Sequence, residues 1–371
     1  LFKESSVLSF GKLRGSYGIT GSDNVPDYAF LDTYTTTQNN YDGISGLNPT
    51  RLYNPEFGWE ENKKIEAGLE LGFLKDRIFL STAWYRNRSS NQLIGIPLPT
   101  TTGFSSITAN FEAIVENTGF EIDLRTTNIQ NDNFTWRTTF NISSNKNKLI
   151  RFDGLEGSTF ANTLVIGQPL NIRKVYRLIG VNSDTGVYEF QDFNEDGSID
   201  TPNDNKVIKD LNPKFFGGLG NTLSYKNLQL EVFFQFKKQE GRNFIPSSSK
   251  PGSTKVNQRA SVFNRWRQAG DIAPVQIYSQ SASANRPAQN AFRWYQNSDA
   301  TVTDASFIRL RNVSLTYSLP KKWVKGIDAS IYLQGQNLLT ITDYDGFDPD
   351  QLNQENLPPL RQLTLGLNLS F

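Results

Sequence analysis

The chain has no cysteine, no histidine and no methionine among its 371 residues. Without cysteine there is no disulfide framework and no thiolate nucleophile, which suits passage through an oxidising periplasm without enforcing it. Without histidine the usual general base and the commonest transition-metal ligand are gone, so Ser-His-Asp hydrolase chemistry and His-based zinc sites are excluded. No apolar run approaches the roughly eighteen residues of a membrane helix. That excludes a helical span but not a membrane β-barrel, in which half of each strand faces water. An excess of charge is missing too: 38 Lys and Arg against 37 Asp and Glu leave +1, which gives no reason to propose a nucleic-acid partner. The chain begins at Leu1 with no secretory signal, so it is expected to be a fragment of a longer precursor.

What is present is a set of alternating strands, clearest at the C-terminus. From Gln362 the residues read Gln-Leu-Thr-Leu-Gly-Leu-Asn-Leu-Ser-Phe, with Leu363, Leu365, Leu367, Leu369 and Phe371 on one face and polar residues or glycine on the other. A strand of a soluble sandwich has the same pattern. Ending on a bare aromatic is the habit of an outer-membrane barrel, whose last strand pairs with its first. On that reading Leu367, Leu369 and Phe371 form a barrel-assembly signal.

Ten such segments are expected, over residues 8–20, 59–73, 78–93, 113–127, 134–149, 215–226, 228–238, 304–319, 327–340 and 362–371. Their connections alternate long and short without exception, the long ones including 151–213 and the irregular stretch 239–302. Both ends of a sandwich meet the same solvent and have no reason to sort loops; a membrane barrel has tight turns on one side and long loops on the other. Face alternation agrees: Leu228, Leu230, Val232, Phe234 and Phe236 interleave with Gln229, Glu231, Phe233 and Gln235. Between Phe307 and Asn312 the phase is lost, which predicts a bulge. Phe79, Phe134, Tyr225 and Tyr317, near the tight turns, are candidates for an interfacial girdle.

Several stretches, in order, resemble the SusC-like TonB-dependent transporters of Bacteroidota outer membranes (SusC/RagA type). They include Leu-Arg-Gly-Ser-Tyr-Gly-Ile-Thr-Gly at 13–21, Ile-Pro-Leu-Pro-Thr-Thr-Thr-Gly-Phe at 96–104, Val-Glu-Asn-Thr-Gly-Phe-Glu at 115–121, Pro-Lys-Phe-Phe-Gly-Gly at 213–218 and Tyr-Leu-Gln-Gly-Gln-Asn-Leu at 332–338. The resemblance implies an all-β transmembrane barrel of about 22 strands, of which residues 1–371 would be the C-terminal ten or so, without the N-terminal plug. It implies import of glycans, oligosaccharides or peptides with a SusD-like surface lipoprotein as lid, driven by the TonB complex through an N-terminal region not in this chain. Barrel-assembly machinery and outer-membrane lipid would be the other partners, and no enzymatic activity is implied. The alternatives are a surface binding or adhesion β protein and, further off, a secreted polysaccharide-degrading enzyme.

Two loop motifs carry possible chemistry. Asp192, Asn194, Asp196, Ser198 and Asp200, with Gly197 at the turn, copy the spacing of a calcium loop, although position twelve is Asn203 and Asp204 follows one residue late. Ca2+ is therefore a candidate ligand at 192–204, against the alternative of a solvated Asp/Asn turn. No other cofactor is required. The second motif is the basic and aromatic stretch with Arg265, Trp266, Arg267, Arg293, Trp294 and Tyr295, which either contacts substrate or lid or packs the loop internally.

Overall fold

The computed structural model describes residues 7–22, 28, 30–37, 42–111, 113–280, 285–324, 326–353 and 355–370. Ten strands form one antiparallel sheet in chain order: β1 (Leu8–Ser22), β2 (Glu60–Phe73), β3 (Ile78–Ser90), β4 (Ala113–Gln130), β5 (Phe134–Phe152), β6 (Phe215–Tyr225), β7 (Leu228–Lys238), β8 (Phe307–Ser318), β9 (Asp328–Thr342) and β10 (Gln362–Ser370). All ten expected strands are present. The expected strand 78–93 stops at Ser90, because Gln92–Pro97 turns away to pair with Ser106–Phe111. The expected strand 304–319 begins only at Phe307, since Val302–Asp304 pairs instead with Glu240–Arg242.

Cross-strand register turns the sequence alternation into two faces. One row runs Leu13, Leu69, Thr82, Ile122, Ile142, Gly217, Phe236, Ile308, Ile341, and the row two residues away runs Gly11, Leu71, Leu80, Leu124, Phe140, Leu219, Phe234, Leu310, Leu339. Between them, pointing the other way, lies Lys12, Glu70, Ser81, Asp123, Asn141, Gly218, Gln235, Arg309, Thr340. Nine strands thus agree on which side is oily and which is wet. Among the described residues no second sheet covers the oily side, where Leu363 and Leu365 remain 76% and 75% exposed. A sandwich would bury that side; a barrel gives it to hydrocarbon.

The expected bulge sits at Arg311. Leu310 and Asn312 are consecutive partners of β7, leaving Arg311 as the extra residue, while Asn337 on β9 takes a left-handed φ of 52°. The insertion restores the phase: Ile308 and Leu310 face outward before it, Val313 and Leu315 after it.

At the tight-turn rim the connections are tied to one another. Arg77 donates from its guanidinium to the carbonyls of Thr127 and Asn128, the Lys226 N–H donates to Asn133, and Asn227 exchanges hydrogen bonds with Ser318. Outward at this rim, Phe134, Tyr225, Leu228, Tyr317, Ile331 and Leu367 form one row, which places three of the four girdle candidates where an interfacial belt belongs. Phe79 is the exception. It alternates with Ile78 and Leu80 onto the inner face, where its ring meets Phe10 at 6.0 Å.

The packed core lies among the long connections. The 151–213 connection folds into the strands Ile172–Val175, Leu178–Val181, Tyr188–Phe190 and Val207–Asp210, and the 239–302 connection carries α1 (Arg286–Tyr295). Tyr176, Tyr188 and Phe190 from the first bury against Ala291 and Phe292 of the second. The two loops are therefore one cap over the long-loop rim rather than the irregular segment expected for 239–302.

Candidate functional site

The inner face is the first candidate. Arg14 lies between Glu66 and Glu70 at 3.7 and 3.3 Å, Lys12 reaches Glu70 at 3.9 Å, and Arg125 pairs with Asp123 at 2.9 Å. These compensated and mostly solvent-accessible charges contribute little stability but keep the surface hydrated. The Tyr85 hydroxyl donates to Asn145 Oδ1 at 2.9 Å, and its ring lies so close over Gly119 that a Cβ there would come within 2.3 Å of it. Tyr332 covers Gly366 in the same way. Glycine on the inner face thus gives aromatic side chains a flat seat on the sheet. A polar concavity of about 850 Å³ follows, with Arg14, Lys64, Glu66, Tyr85 and Glu121 along its walls.

The cap is the second. Its aromatic and basic residues pack inward first. Trp266 is buried on Gly186, whose φ of +70° and lack of a side chain admit the indole, and its Nε1 donates to the Ser183 carbonyl at 2.8 Å. Arg265 stacks on Tyr278 at 3.8 Å, Tyr295 on Tyr188 at 4.2 Å, and Trp294 meets Phe190 edge-on at 6.0 Å. The Arg267 backbone N–H donates to Asp271 Oδ2, while Arg293 stands exposed in the last turn of α1. Burial pushes both Tyr188 and Tyr295 phenols above their ordinary value, so the stacked pair stays neutral. Of the six residues that could contact substrate or lid or pack the loop, Trp266, Trp294 and Tyr295 pack within the cap, Arg265 stacks on Tyr278, the Arg267 backbone bonds Asp271, and Arg293 is exposed.

The 192–204 loop closes on its own backbone. Asp192 accepts from the N–H groups of Glu195 and Gly197, Asp196 from that of Ser198, and buried Asp204 from those of Phe193 and Asp200. Asn194 donates to Asp196 Oδ2 at 2.7 Å. Among the described residues no three acidic side chains are gathered closely enough to hold a metal ion. The carboxylates accept from the loop's own backbone, with Asp204, out of place for a calcium loop, as the central acceptor.

At the C-terminus, Leu367 and Leu369 project outward from β10 opposite Ile331 and Ala329, whereas Phe371 lies outside the described residues. Sequence reasoning missed Lys174 and Asn205, which face α1 across a second cavity, and the buried pair of Arg309 and Asp348. No motif announces either one; the partners are far apart in the chain.

Comparison with known proteins agrees with this architecture. The family described as TonB dependent receptor-like, beta-barrel, matches residues 8–338. Over its whole length the chain is similar, at 30% identity, to the TonB-dependent receptor P3 of Formosa agariphila, of which it covers 40%. It is 26% identical to the TonB-dependent receptor SusC of Bacteroides thetaiotaomicron, covering 38% of that protein. Among solved structures, the RagAB peptide importer in its open-open state superposes with a TM-score of 0.83 at 26% identity, covering all of this chain and 41% of that one. The chain therefore spans about two-fifths of the length of the proteins it matches.

Proposed function

Because the chain belongs to the TonB-dependent receptor-like β-barrel family of the outer membrane, we propose that it is the C-terminal wall of an importer for glycans, oligosaccharides or peptides. On this reading a SusD-like lipoprotein closes the long-loop side, and the TonB complex acts through a region outside this chain. The barrel-assembly machinery inserts it, and lipid meets its outward rows. The carrying observation is the polar row from Lys12 to Thr340, sandwiched in register between two apolar rows. Such a wall has a hydrated inner surface past which polar cargo moves and an outer surface only hydrocarbon suits. The relatives the chain matches are receptors and a peptide importer, which supports a non-enzymatic role.

The test uses the full-length protein in its own outer membrane. Uptake of labelled oligosaccharide or peptide should depend on TonB, and affinity purification should bring down a lid lipoprotein. Uptake that persists without TonB, or a protein that only adheres to surfaces and admits nothing, would overturn the reading.

We also propose Ca2+ as a ligand of the 192–204 loop. The alternate spacing of Asp192, Asn194, Asp196 and Asp200 supports it, as does the exposure of Asn194, Asp196 and Ser198. Each carboxylate oxygen that accepts one N–H keeps a further lone pair. The full-length protein should melt higher in Ca2+ than in a chelator, and the difference should vanish in Asp196→Asn. An identical melting temperature in both conditions refutes it.

A further inference from the structure

A second cavity in the cap, of about 480 Å³, opens between the 172–206 stretch and α1. Its walls are polar. Lys174 and Asn205 line it from the 172–206 stretch, and Asn290, Arg293, Trp294 and Asn297 from α1 and the residues just after it; no Asp or Glu lines it. Neither Lys174 nor Arg293 has a carboxylate partner among the described residues. Lys174 donates only to the Ala161 carbonyl at 2.9 Å, and burial together with the repulsion of nearby Lys206 lowers its pKa. A cation so placed is short of negative charge.

The neutral groups narrow the choice of anion. Asn205, Asn290 and Asn297 bring three side-chain amides to the cavity lining. The paired hydroxyls of Tyr176 and Thr201, 2.7 Å apart, line the same cavity. Trp294, held edge-on by Phe190, contributes an indole along one wall. Cations for a negative group, amides for hydroxyls and an indole for an apolar ring face together describe one kind of ligand.

We propose that this cavity is a subsite for an anionic saccharide unit, a sugar ring bearing a carboxylate or a sulfate. The inference deepens the importer reading and rests on it, selecting acidic glycans from the cargoes that reading allows. Lys174 and Arg293 bind the acid group. The amides of Asn205, Asn290 and Asn297 bind ring hydroxyls, and Trp294 packs on the ring.

The test is calorimetric titration of the full-length protein, purified with its lid, using four probes: tetragalacturonate, a sulfated galactose tetrasaccharide, maltotetraose and tetraglutamate. One or both acidic saccharides should bind, and which of them does distinguishes carboxylate from sulfate. Affinity should fall about tenfold or more in Lys174→Gln and in Arg293→Gln, the loss expected for one charge-assisted hydrogen bond. Arg293 is exposed, so its variant does not threaten folding, and unchanged lid co-purification checks this. Equal binding of maltotetraose, tetraglutamate binding with the same dependence on the two cations, or acidic saccharide affinity unaltered in both variants would each overturn the proposal. If no saccharide binds while TonB-dependent peptide uptake continues, the subsite falls and the importer stands. If uptake is absent for every cargo, the importer reading itself falls.

Discussion

Arg309 donates from Nη2 to Asp348 Oδ2 at 2.6 Å, with the two residues only 1% and 4% exposed. The guanidinium also donates from Nε to Thr340 Oγ1 and lies 5.1 Å from the centre of the Phe307 ring. Asp348 Oδ1 accepts from the backbone N–H groups of Asp350 and Gln351. A strand on the inner face is thus locked to the loop that follows β9. Lys237 to Asp350, Gln239 to the Pro349 carbonyl and Tyr344 to the Arg242 carbonyl add to the same strap. The strap fixes how far the 343–352 segment leans across the inner face.

Removing one member strands the other. Asp348→Ala in the full-length protein should therefore cost about 3–5 kcal/mol locally, the usual penalty for an uncompensated buried charge. Hydrogen exchange within 343–352 should rise by orders of magnitude while the tight-turn rim keeps its protection. The double variant Arg309→Met with Asp348→Leu should recover most of it. Equal exchange in wild type and Asp348→Ala would mean that backbone bonds alone hold the strap.

The two faces predict opposite responses to the same new charge. Leu124→Arg puts a guanidinium on the apolar row of Phe140 and Leu219, at a cost of about 2–4 kcal/mol if it lies near mid-membrane. Asp123→Arg, one residue away on the wet row, should be tolerated within the range of surface substitutions. The measurement is the folded fraction in outer membranes by heat-modifiable gel mobility. Similar losses in both variants would contradict the assignment of faces.

How much of this was legible depended on how local the signal was. Strands repeat every two residues, so β4 and β7 were readable from Phe120 to Leu124 and from Leu228 to Phe236, and even the Arg311 bulge left its mark as a lost phase. Helix α1 carries a local signal in its cap and its spacing. Asn285 caps it by accepting from the Ala288 N–H, Pro287 sits in its first turn, and Ala288, Ala291, Phe292 and Tyr295 fall at helical spacing. The polar residues between them, within a long irregular stretch, hid the pattern. The Lys174 cavity and the Arg309 strap were beyond reach, because tertiary packing joins residues that no short window contains.

Trp266 separates a packing role from a binding role for the basic and aromatic loop. Its ring fills the space over Gly186, so Gly186→Ala should force the indole out as surely as Trp266→Ala removes it, the added Cβ coming within 2.4 Å of the ring. Truncation of the buried Trp should cost about 3–5 kcal/mol of cap stability. Both variants should open the cap to protease near 183–186 and 266–275 to a similar degree. If Trp266→Ala weakened cargo binding with the cap still resistant, the indole would be a ligand contact instead.

The rim pair of Lys238 and Asp304 gives a pH prediction. The lysine and the Ser306 hydroxyl and N–H hold the Asp304 carboxyl down to about 2, against an ordinary 3.8. A carboxylate whose folded pKa is lowered stabilises the fold at pH above its unfolded value, and the contribution disappears as pH falls from about 3.8 to about 2. Asp304 is 55% exposed in its side chain, so solvent screening keeps the effect small. Lys238→Met should therefore lower the melting temperature of the full-length protein slightly at pH 7, and the gap to wild type should close by pH 2. A gap of the same size at both pH values would assign the loss to the lysine's aliphatic packing rather than to its charge, since only the ionised carboxylate can tell the two side chains apart electrostatically.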